Sequence, residues 1–175
     1  VKRYGLHEAR PLGDLAKYVA KLSKQKRRKF RVLRGLSRRV DDVLKPVKVK
    51  KGATTPDKQF AEFLSEMRLV KDAQELGELS KSIASTKRGF EDVIATLKDA
   101  KSEREVEGVF NLRARVEGND VGYNTIAACG PHACVLHWNH NDGDVQDGDL
   151  LLLDAGIEGQ TLYTADITRT LPVSG

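Results

Sequence analysis

The sequence has 175 residues, of which 39% are hydrophobic and 31% are charged. Apolar residues are spread along the chain, which argues against a fully disordered protein. The longest apolar run, residues 150–153, has the length of one strand and falls far short of the ~18–20 residues that span a bilayer. We therefore expect no membrane association, and because the first residues carry no apolar signal-peptide core we predict a cytoplasmic location.

The net charge of +5 conceals a division of charge along the chain. Through Lys51 there are 18 Lys/Arg against 4 Asp/Glu, a net charge of +14, whereas the remainder has 12 against 21, a net charge of −9. Such a break predicts two units with different surfaces. The densest basic stretch, residues 24–29, lacks the aromatic and glycine context of a nucleic-acid site. We predict a solvated surface there and no specific nucleic-acid partner.

The positively charged part of the chain, through Lys51, contains two apolar stripes and one short apolar run. In chain order they are a helical stripe over residues 12–22, a strand-like run over residues 30–33 and a second helical stripe over residues 36–44. Helix, strand and helix are a piece of an α/β layer and not a complete domain. One strand cannot form a sheet without neighbouring strands. We therefore expect further residues before Val1, and we predict a linker over residues 45–55.

Three helices are predicted after the linker. Thr55-Pro56 is typical of a helix start, with an N-cap residue followed by proline at the first helical position. The apolar stripe of this helix extends from Phe60 to Ile83 with a shift of phase. A second helix is predicted around residues 90–97, and a capping box over residues 102–105 begins the third. We expect the apolar stripes to face a core.

After Gly118 the pattern changes to short strands separated by turns rich in Gly, Asn and Asp. The predicted strands are residues 122–129, 134–138, 149–155, 162–167 and 170–173. A group of helices followed by a group of strands predicts an α+β fold.

Two aspartates are the strongest candidates for chemistry. Asp154 ends an apolar run, where a carboxylate is costly unless it is paired or bound to a metal, and Asp166 stands among strand-forming residues. If residues 154–156 and 162–168 are antiparallel neighbours, both carboxylates converge and suit one or two divalent cations. Spacing alone leaves open that both are buried, hydrogen-bonded aspartates. His137, at the end of another predicted strand, is on position alone either structural or catalytic.

Four segments share their residues and spacing with a known enzyme family. They are Met67-Arg68-Leu69-Val70-Lys71, Gly130-Pro131-His132-Ala133 with His137-Trp138, Leu153-Asp154-Ala155-Gly156, and Asp166-Ile167-Thr168-Arg169-Thr170 with Pro172 and Gly175. These segments resemble the pita-bread metallopeptidases, and within them Xaa-Pro aminopeptidase (aminopeptidase P) and its relative prolidase. The resemblance implies that residues 1–54 are the C-terminal part of a creatinase/prolidase-type α/β domain plus a linker. Residues 55–175 would be the first half of the pita-bread catalytic domain.

The resemblance also implies a ligand set. Family members bind two divalent cations through two Asp, one His and two Glu. Manganese is the first choice for these cations, and cobalt, iron or zinc are alternatives. By motif position, Asp154 binds one metal, Asp166 bridges both, and His137 is a non-ligand that assists substrate binding and proton transfer. The metals activate the water that attacks the bond before the proline. Because the other three ligands lie downstream in family members, we expect this chain to be a fragment that is inactive alone.

The function implied by the resemblance is that of a metal-dependent aminopeptidase, with a homo-oligomeric parent protein. It releases the N-terminal residue from peptides with proline at the second position. Prolidase, which takes Xaa-Pro dipeptides only, is the alternative enzyme. A non-catalytic pita-bread binding module is the third interpretation, and the presence of Asp154, Asp166 and His137 argues against it.

Overall fold

The computed structural model describes residues 5–27, 29–48 and 55–174. The chain divides into two compact units, Val1–Val70 and Lys71–Gly175. The boundary predicted between residues 54 and 55 separates two domains defined by resemblance to a family. A division into compact units does not test such a boundary, so it stays a prediction. Residues 49–54 of the predicted linker lie outside the described ranges. None of the described helices has both the length and the apolar composition that crossing a membrane requires.

The described residues of the first unit form three α-helices, which are α1 (Leu15–Ser23), α2 (Arg38–Val43) and α3 (Pro56–Leu69), and a 3-10 helix over Leu12–Asp14. The predicted start of α3 is confirmed, because the Thr55 hydroxyl accepts the Lys58 N–H at 3.2 Å. The strand predicted over residues 30–33 is wrong, since this segment forms no regular element. The Val32 N–H is instead bound by the Asp57 carboxylate at 3.2 Å, where a strand would need a neighbouring strand.

The second unit begins with two long helices, α4 (Ala73–Thr96) and α5 (Glu103–Glu117). The single helix predicted from Phe60 to Ile83 is broken in two, because a new helix begins after Asp72. The Asp72 carboxylate accepts the Glu75 N–H at 2.8 Å, and the Glu75 carboxylate accepts the Asp72 N–H at 2.7 Å. This capping box satisfies the first N–H groups of α4. From there α4 runs unbroken to Thr96, so the separate helix predicted around residues 90–97 is its C-terminal part.

The strands of the second unit form two antiparallel sheets. A three-stranded sheet has the order β2-β3-β5, with β2 (Ile126–Cys129), β3 (Leu150–Ala155) and β5 (Ile167–Pro172), and a two-stranded sheet pairs β1 (Asp120–Val121) with β4 (Ile157–Glu158). The strand predicted over residues 134–138 is wrong: Gly130–Cys134 forms a 3-10 helix, favoured by Pro131 near its start, and a turn follows. The predicted α+β fold class is confirmed.

One face of the three-stranded sheet forms the core with α4 and α5. Its buried apolar side chains include Leu151, Leu153 and Ala155 from β3, and Phe90, Val93, Val106 and Phe110 from the helices. Side chains alternate along a strand, so Leu152 and Asp154 lie on the opposite face. This opposite face, which we call the open face, therefore carries one of the candidate aspartates.

Ion pairs between α4 and α5 predict how the stability of the second unit depends on pH. Arg113 donates to Asp92 at 2.6 and 2.9 Å and to Glu117 at 2.9 Å, and Arg88 also binds Glu117. Hydrogen bonds, first from Arg88 and then from Arg113, lower the pKa of Glu117 from 4.5 to about 2. A lowered carboxyl pKa contributes stability that is complete above pH 4.5 and is lost as the pH falls toward 2.

We expect the urea midpoint of unfolding, followed by circular dichroism, to fall as the pH is lowered through this interval. Asp92 contributes in the same direction, because its hydrogen bond from Arg113 lowers the pKa of its carboxyl group. The Glu117→Gln variant has no carboxylate to protonate, so its midpoint should fall less than that of the wild type. Parallel curves for the two proteins would contradict this role of Glu117.

Candidate functional site

Asp154 lies on the open face near the end of β3. In the antiparallel register it stands opposite Thr168 of β5 on one side and Ile126 of β2 on the other. The Thr168 hydroxyl donates to Asp154 Oδ2 at 2.5 Å. The carboxylate is partly buried. Strand pairing on both sides and a neutral hydroxyl donor therefore hold it in place.

A single tyrosine joins Asp166 to Asp154. The Tyr123 hydroxyl donates to Asp166 Oδ1 at 3.0 Å, and it also interacts with the Asp154 carboxylate. Burial, and then these two carboxylates, raise the pKa of Tyr123 above its ordinary value. The predicted convergence depends on residues 154–156 and 162–168 being antiparallel neighbours, and Asp154 pairs with Thr168 and Ala155 with Ile167, although the strand begins at Ile167 and not at residue 162 as predicted. The structure meets that condition and brings both carboxylates to one hydroxyl group.

The two carboxylates fit part of a divalent-cation site. Two aspartates that converge on a neutral hydroxyl repel each other, and a cation between them would remove that repulsion. Carboxylate oxygens are also the ligands that hard divalent cations prefer. In the described part of the chain, no group of three or more His, Cys, Asp or Glu side chains is placed to hold a metal ion. Asp154 and Asp166 would thus supply part of a ligand set.

Gly156 allows a close approach between the segments that carry the two aspartates. A Cβ at this position would overlap the backbone carbonyl oxygen of Ala165, the residue next to Asp166. Because the obstructing atom belongs to the backbone, it cannot turn away as the end of a side chain would.

We expect Gly156→Ala to destabilise the second unit by about 1–3 kcal/mol, the usual cost of overpacking. Gly108→Ala in α5 is the matched control, because nothing lies within 4 Å of a Cβ at that position. Alanine in a helix interior is favoured over glycine by about 0.5–1 kcal/mol, so this control should gain stability. Urea unfolding measures both variants. Equal stabilities would contradict the close approach at Gly156.

His137 lies in the segment of residues 130–143, which we call the histidine loop. Its side chain is exposed, and its φ of 55° lies in the left-handed region that non-glycine residues seldom adopt. Among the described residues, no hydrogen bond or ion pair joins His137 to Asp154 or Asp166. The structure therefore brings the two aspartates together and places His137 on a separate loop. The chemical roles predicted for these three residues stay predictions.

The histidine loop returns along the outer edge of β2. The buried side chain of Asn141 donates to the Thr125 carbonyl at 2.8 Å and accepts the Ala127 N–H at 2.9 Å. These two bonds satisfy backbone groups that a further strand would otherwise pair. Ile126, between the two bonded residues, stands opposite Asp154 in the sheet. The loop therefore comes back to the level of Asp154.

Glu103, the first residue of α5, is a fully buried carboxylate beside the histidine loop. Its Oε1 accepts the Cys129 N–H at 2.8 Å and lies 2.9 Å from His132 Nδ1. Its Oε2 accepts the Trp138 indole N–H and the Gly143 N–H, both at 2.9 Å. Burial would raise the pKa of Glu103, but these hydrogen bonds outweigh burial and lower the pKa below its ordinary value.

Sequence reasoning missed both Tyr123 and Glu103. Tyr123 falls in a predicted strand, and its spacing from Asp154 and Asp166 marks no relation to them. Glu103 follows Ser102 in a helix-capping sequence, a context in which a glutamate normally meets solvent. No pattern in the sequence distinguishes either residue from an ordinary neighbour.

Comparison with known proteins identifies the family. Residues 77–175 match the model of metallopeptidase family M24. Over 147 residues the chain is 58% identical to Xaa-Pro aminopeptidase 1 of Streptomyces coelicolor, covering 83% of this chain and 29% of that protein. Over 170 residues it is 50% identical to Xaa-Pro aminopeptidase 2 of the same organism, covering 94% of this chain and 34% of that protein. The chain thus spans about a third of the length of these curated relatives.

Solved structures show the same fold. Aminopeptidase P from Escherichia coli, in its low-pH form, matches 99% of this chain and 41% of its own with a TM-score of 0.84 and 27% identity. Proline aminopeptidase P II from Yersinia pestis matches the same shares with a TM-score of 0.79 and 25% identity. The predicted pita-bread fold is confirmed. Since the family model covers more than half of its residues, this chain belongs to metallopeptidase family M24.

Proposed function

We propose that the whole protein is a metal-dependent Xaa-Pro aminopeptidase, which releases the N-terminal residue from peptides with proline at the second position. The observation that carries the proposal is the meeting of Asp154 and Asp166 at Tyr123, in a chain 58% identical to an Xaa-Pro aminopeptidase. Membership of family M24 implies divalent metal ions. We propose manganese, with cobalt, iron or zinc as alternatives.

The proposed roles follow from the chemistry of each side chain. When bound, divalent cations supply a water of lowered pKa and polarise the carbonyl of the scissile bond. Asp166 would bridge two cations, and Asp154 would bind one of them. Tyr123 donates its hydroxyl hydrogen to Asp166 and also interacts with the Asp154 carboxylate. His137, whose imidazole is exposed, would bind the substrate and transfer a proton.

The setting of the enzyme is also proposed. We place it in the cytoplasm as a homo-oligomer that acts on peptides and has no specific nucleic-acid partner. The described basic residues of this stretch, Lys24, Lys26, Arg27 and Lys29, are exposed, which supports a solvated surface. A titration of labelled DNA and RNA at ~0.15 M salt, where weak phosphate contacts are largely lost, checks this point. Sequence-selective binding would contradict it.

The activity test uses the full-length protein, manganese and three matched peptides. They are a tripeptide with proline second, the same tripeptide with alanine second, and an Xaa-Pro dipeptide. We expect release of the N-terminal residue from the proline tripeptide, loss of that release on chelation, and recovery when manganese is added back. Cleavage confined to the dipeptide would indicate prolidase instead. Absence of metal-dependent release from all three would indicate a non-catalytic binding module.

The 175 residues alone are expected to release nothing from the proline tripeptide above a blank that contains manganese only. The reason is that the described residues offer only Asp154 and Asp166 at the candidate site, and no larger metal-binding group. Circular dichroism of the same sample verifies that the chain is folded. Metal-dependent turnover by the folded chain would contradict this expectation.

A further inference from the structure

We infer that Glu103 is a positioning residue for the histidine loop, and that through this loop it sets the place of His137. The inference rests on the proposed function, because the role proposed for His137 makes the position of the loop matter. In the described part of the chain, Glu103 forms no hydrogen bond with His137, Asp154 or Asp166. It would therefore act through the loop and not on the substrate.

Each oxygen of the Glu103 carboxylate joins two separate parts of the chain. Oε1 joins Cys129, the last residue of β2, to His132 in the first turn of the loop. Oε2 joins Trp138, in the middle of the loop, to Gly143 at its end. One buried side chain on α5 thus ties the beginning, middle and end of the histidine loop together.

The partners of Glu103 require an ionised carboxylate. The Cys129 and Gly143 amides and the Trp138 indole can only donate, and His132 donates when its proton is on Nδ1. A protonated Glu103 would direct its own hydrogen at one of these N–H groups, except where His132 carries its proton on Nε2 and accepts through Nδ1. The charge is compensated by hydrogen bonds, and any movement of the carboxylate would leave N–H groups unpaired in a buried position.

Aromatic contacts carry this anchoring to His137. The rings of His132 and Trp138 stack with centroids 3.9 Å apart and 25° between their planes. Trp138 also meets the His140 ring edge-on at 5.2 Å. Because Trp138 directly follows His137, an anchored indole restricts the backbone at His137. That backbone is in the left-handed region, which persists only when the surroundings hold it.

The backbone at Gly143 approaches both His132 and the Glu103 carboxylate closely. A Cβ on Gly143 would stand 2.6 Å from His132 Nδ1 and 3.0 Å from Glu103 Cδ. A residue without a side chain at this position allows the loop to close over Glu103. The glycine thus belongs to the same anchor as the carboxylate.

Glu103→Gln in the full-length protein tests the inference by kinetics. An amide offers N–H groups where the carboxylate offered an oxygen, so at least one pair of the loop's donors loses its acceptor. We expect kcat on the proline tripeptide to fall by about 10–100-fold, as when supporting hydrogen bonds of a site are lost. KM should rise by a smaller factor than kcat falls, because His137 is only one of the groups proposed to bind the substrate. Metal content, measured by elemental analysis, should equal that of the wild type.

Two variants in the same helix serve as controls. Val106→Ala shortens a buried side chain one turn beyond Glu103, so it should lower stability and keep kcat. Glu107→Gln makes the same chemical change at a partly buried residue that takes no part in the anchor. This variant should keep the stability and the kcat of the wild type. Val106→Ala shows how much kcat changes when stability alone is lowered, and Glu107→Gln shows how much it changes when one negative charge is removed. Any further fall of kcat in Glu103→Gln then comes from the lost acceptor of the loop.

Fluorescence gives a second readout that needs no activity. This readout uses the 175-residue chain, with circular dichroism to verify that each variant is folded, because Trp138 is the sole tryptophan of these residues and its emission reports directly on the anchored indole. We expect Glu103→Gln to change the wavelength and intensity of that emission, and both control variants to keep the wild-type spectrum. His132→Ala removes one donor and the stacked ring but retains Glu103. It should change the spectrum and lower kcat less than Glu103→Gln does, and it stands in if Glu103→Gln fails to fold.

The outcomes decide between anchoring and a merely structural role. Wild-type emission and kcat in Glu103→Gln, or in His132→Ala where only that variant folds, would overturn the inference. So would a loss of kcat no larger than that of Val106→Ala at equal stability. Absence of Xaa-Pro activity in the wild type would overturn the proposed function instead. Anchoring of the loop would then be supported by a changed Trp138 emission and overturned by an unchanged one.

Discussion

Replacement of Asp166 by asparagine should remove both metal ions from the full-length protein and lower kcat on a proline tripeptide by roughly a thousandfold or more. An amide offers one neutral oxygen in place of two anionic ones, so it cannot bridge two cations. Because Tyr123 donates to Asp166, the hydrogen bond can persist through the amide oxygen and the strands should stay paired. Elemental analysis and steady-state kinetics on one sample measure the two effects.

Asp154→Asn provides the comparison. We expect it to weaken one metal site and to retain more metal than Asp166→Asn, because the role proposed for Asp154 involves a single cation. Thr168 can still donate to the amide oxygen, so the register of β3 and β5 should survive. Asp147→Asn is the control, since Asp147 is an exposed aspartate in the turn before β3 and should affect neither metal content nor kcat.

The metal content of these variants separates the possible roles. Two metals per chain in Asp166→Asn would contradict its assignment as the bridging residue. Equal losses in Asp154→Asn and Asp166→Asn would contradict the distinction between them. If both variants keep a kcat close to that of the wild type, the two aspartates have only a structural role, as hydrogen-bond acceptors around Tyr123.

Strand β3 and the meeting of the aspartates were within reach of the sequence, because both depend on local signals. The run of residues 150–153 is apolar and is bounded by turn residues, which is typical of a strand with a buried face. The short segment that follows Asp154 favours a return of the chain beside the same strand. Antiparallel pairing then needs no information from distant parts of the chain.

Two of the wrong predictions arise where the apolar pattern of the sequence indicates one element and hydrogen bonding in the folded chain produces another. An apolar stripe favoured one helix across residues 60–83, although Asp72 and Glu75 already had the spacing of a capping box. Residues 134–138 have the composition of a strand, yet a strand needs a partner for its backbone. In the folded chain the Trp138 side chain binds Glu103 and stacks on His132 instead.

The environment of Glu103 lay beyond sequence reasoning for a physical reason. Its partners come from β2 and from both ends of the histidine loop, so they are dispersed along the chain and meet only when α5 packs on the sheet. A buried glutamate is uncommon, and its burial is tolerable only when several donors converge on it. Such convergence is a property of the tertiary structure and leaves no spacing rule in the sequence.

Replacement of His137 should leave the metal content unchanged and lower kcat by about 10²–10⁴-fold, the range typical of lost general acid–base or hydrogen-bonding help. Its exposed imidazole forms no hydrogen bond with Asp154 or Asp166 within the described residues, so both carboxylates should keep their places. His7→Ala is the control, because His7 is an exposed histidine outside the histidine loop. Its kcat should stay close to that of the wild type.

The choice of substitution at His137 separates the chemistry of the imidazole from the strain of its backbone. His137 has a φ of 55°, a conformation that asparagine adopts more readily than alanine does. If proton transfer by the imidazole matters, His137→Asn and His137→Ala should lose similar amounts of kcat. Recovery of most of the rate in His137→Asn would assign the effect to the loop conformation or to a hydrogen bond that an amide can supply. Loss of metal from either variant would contradict the proposal that His137 is not a ligand.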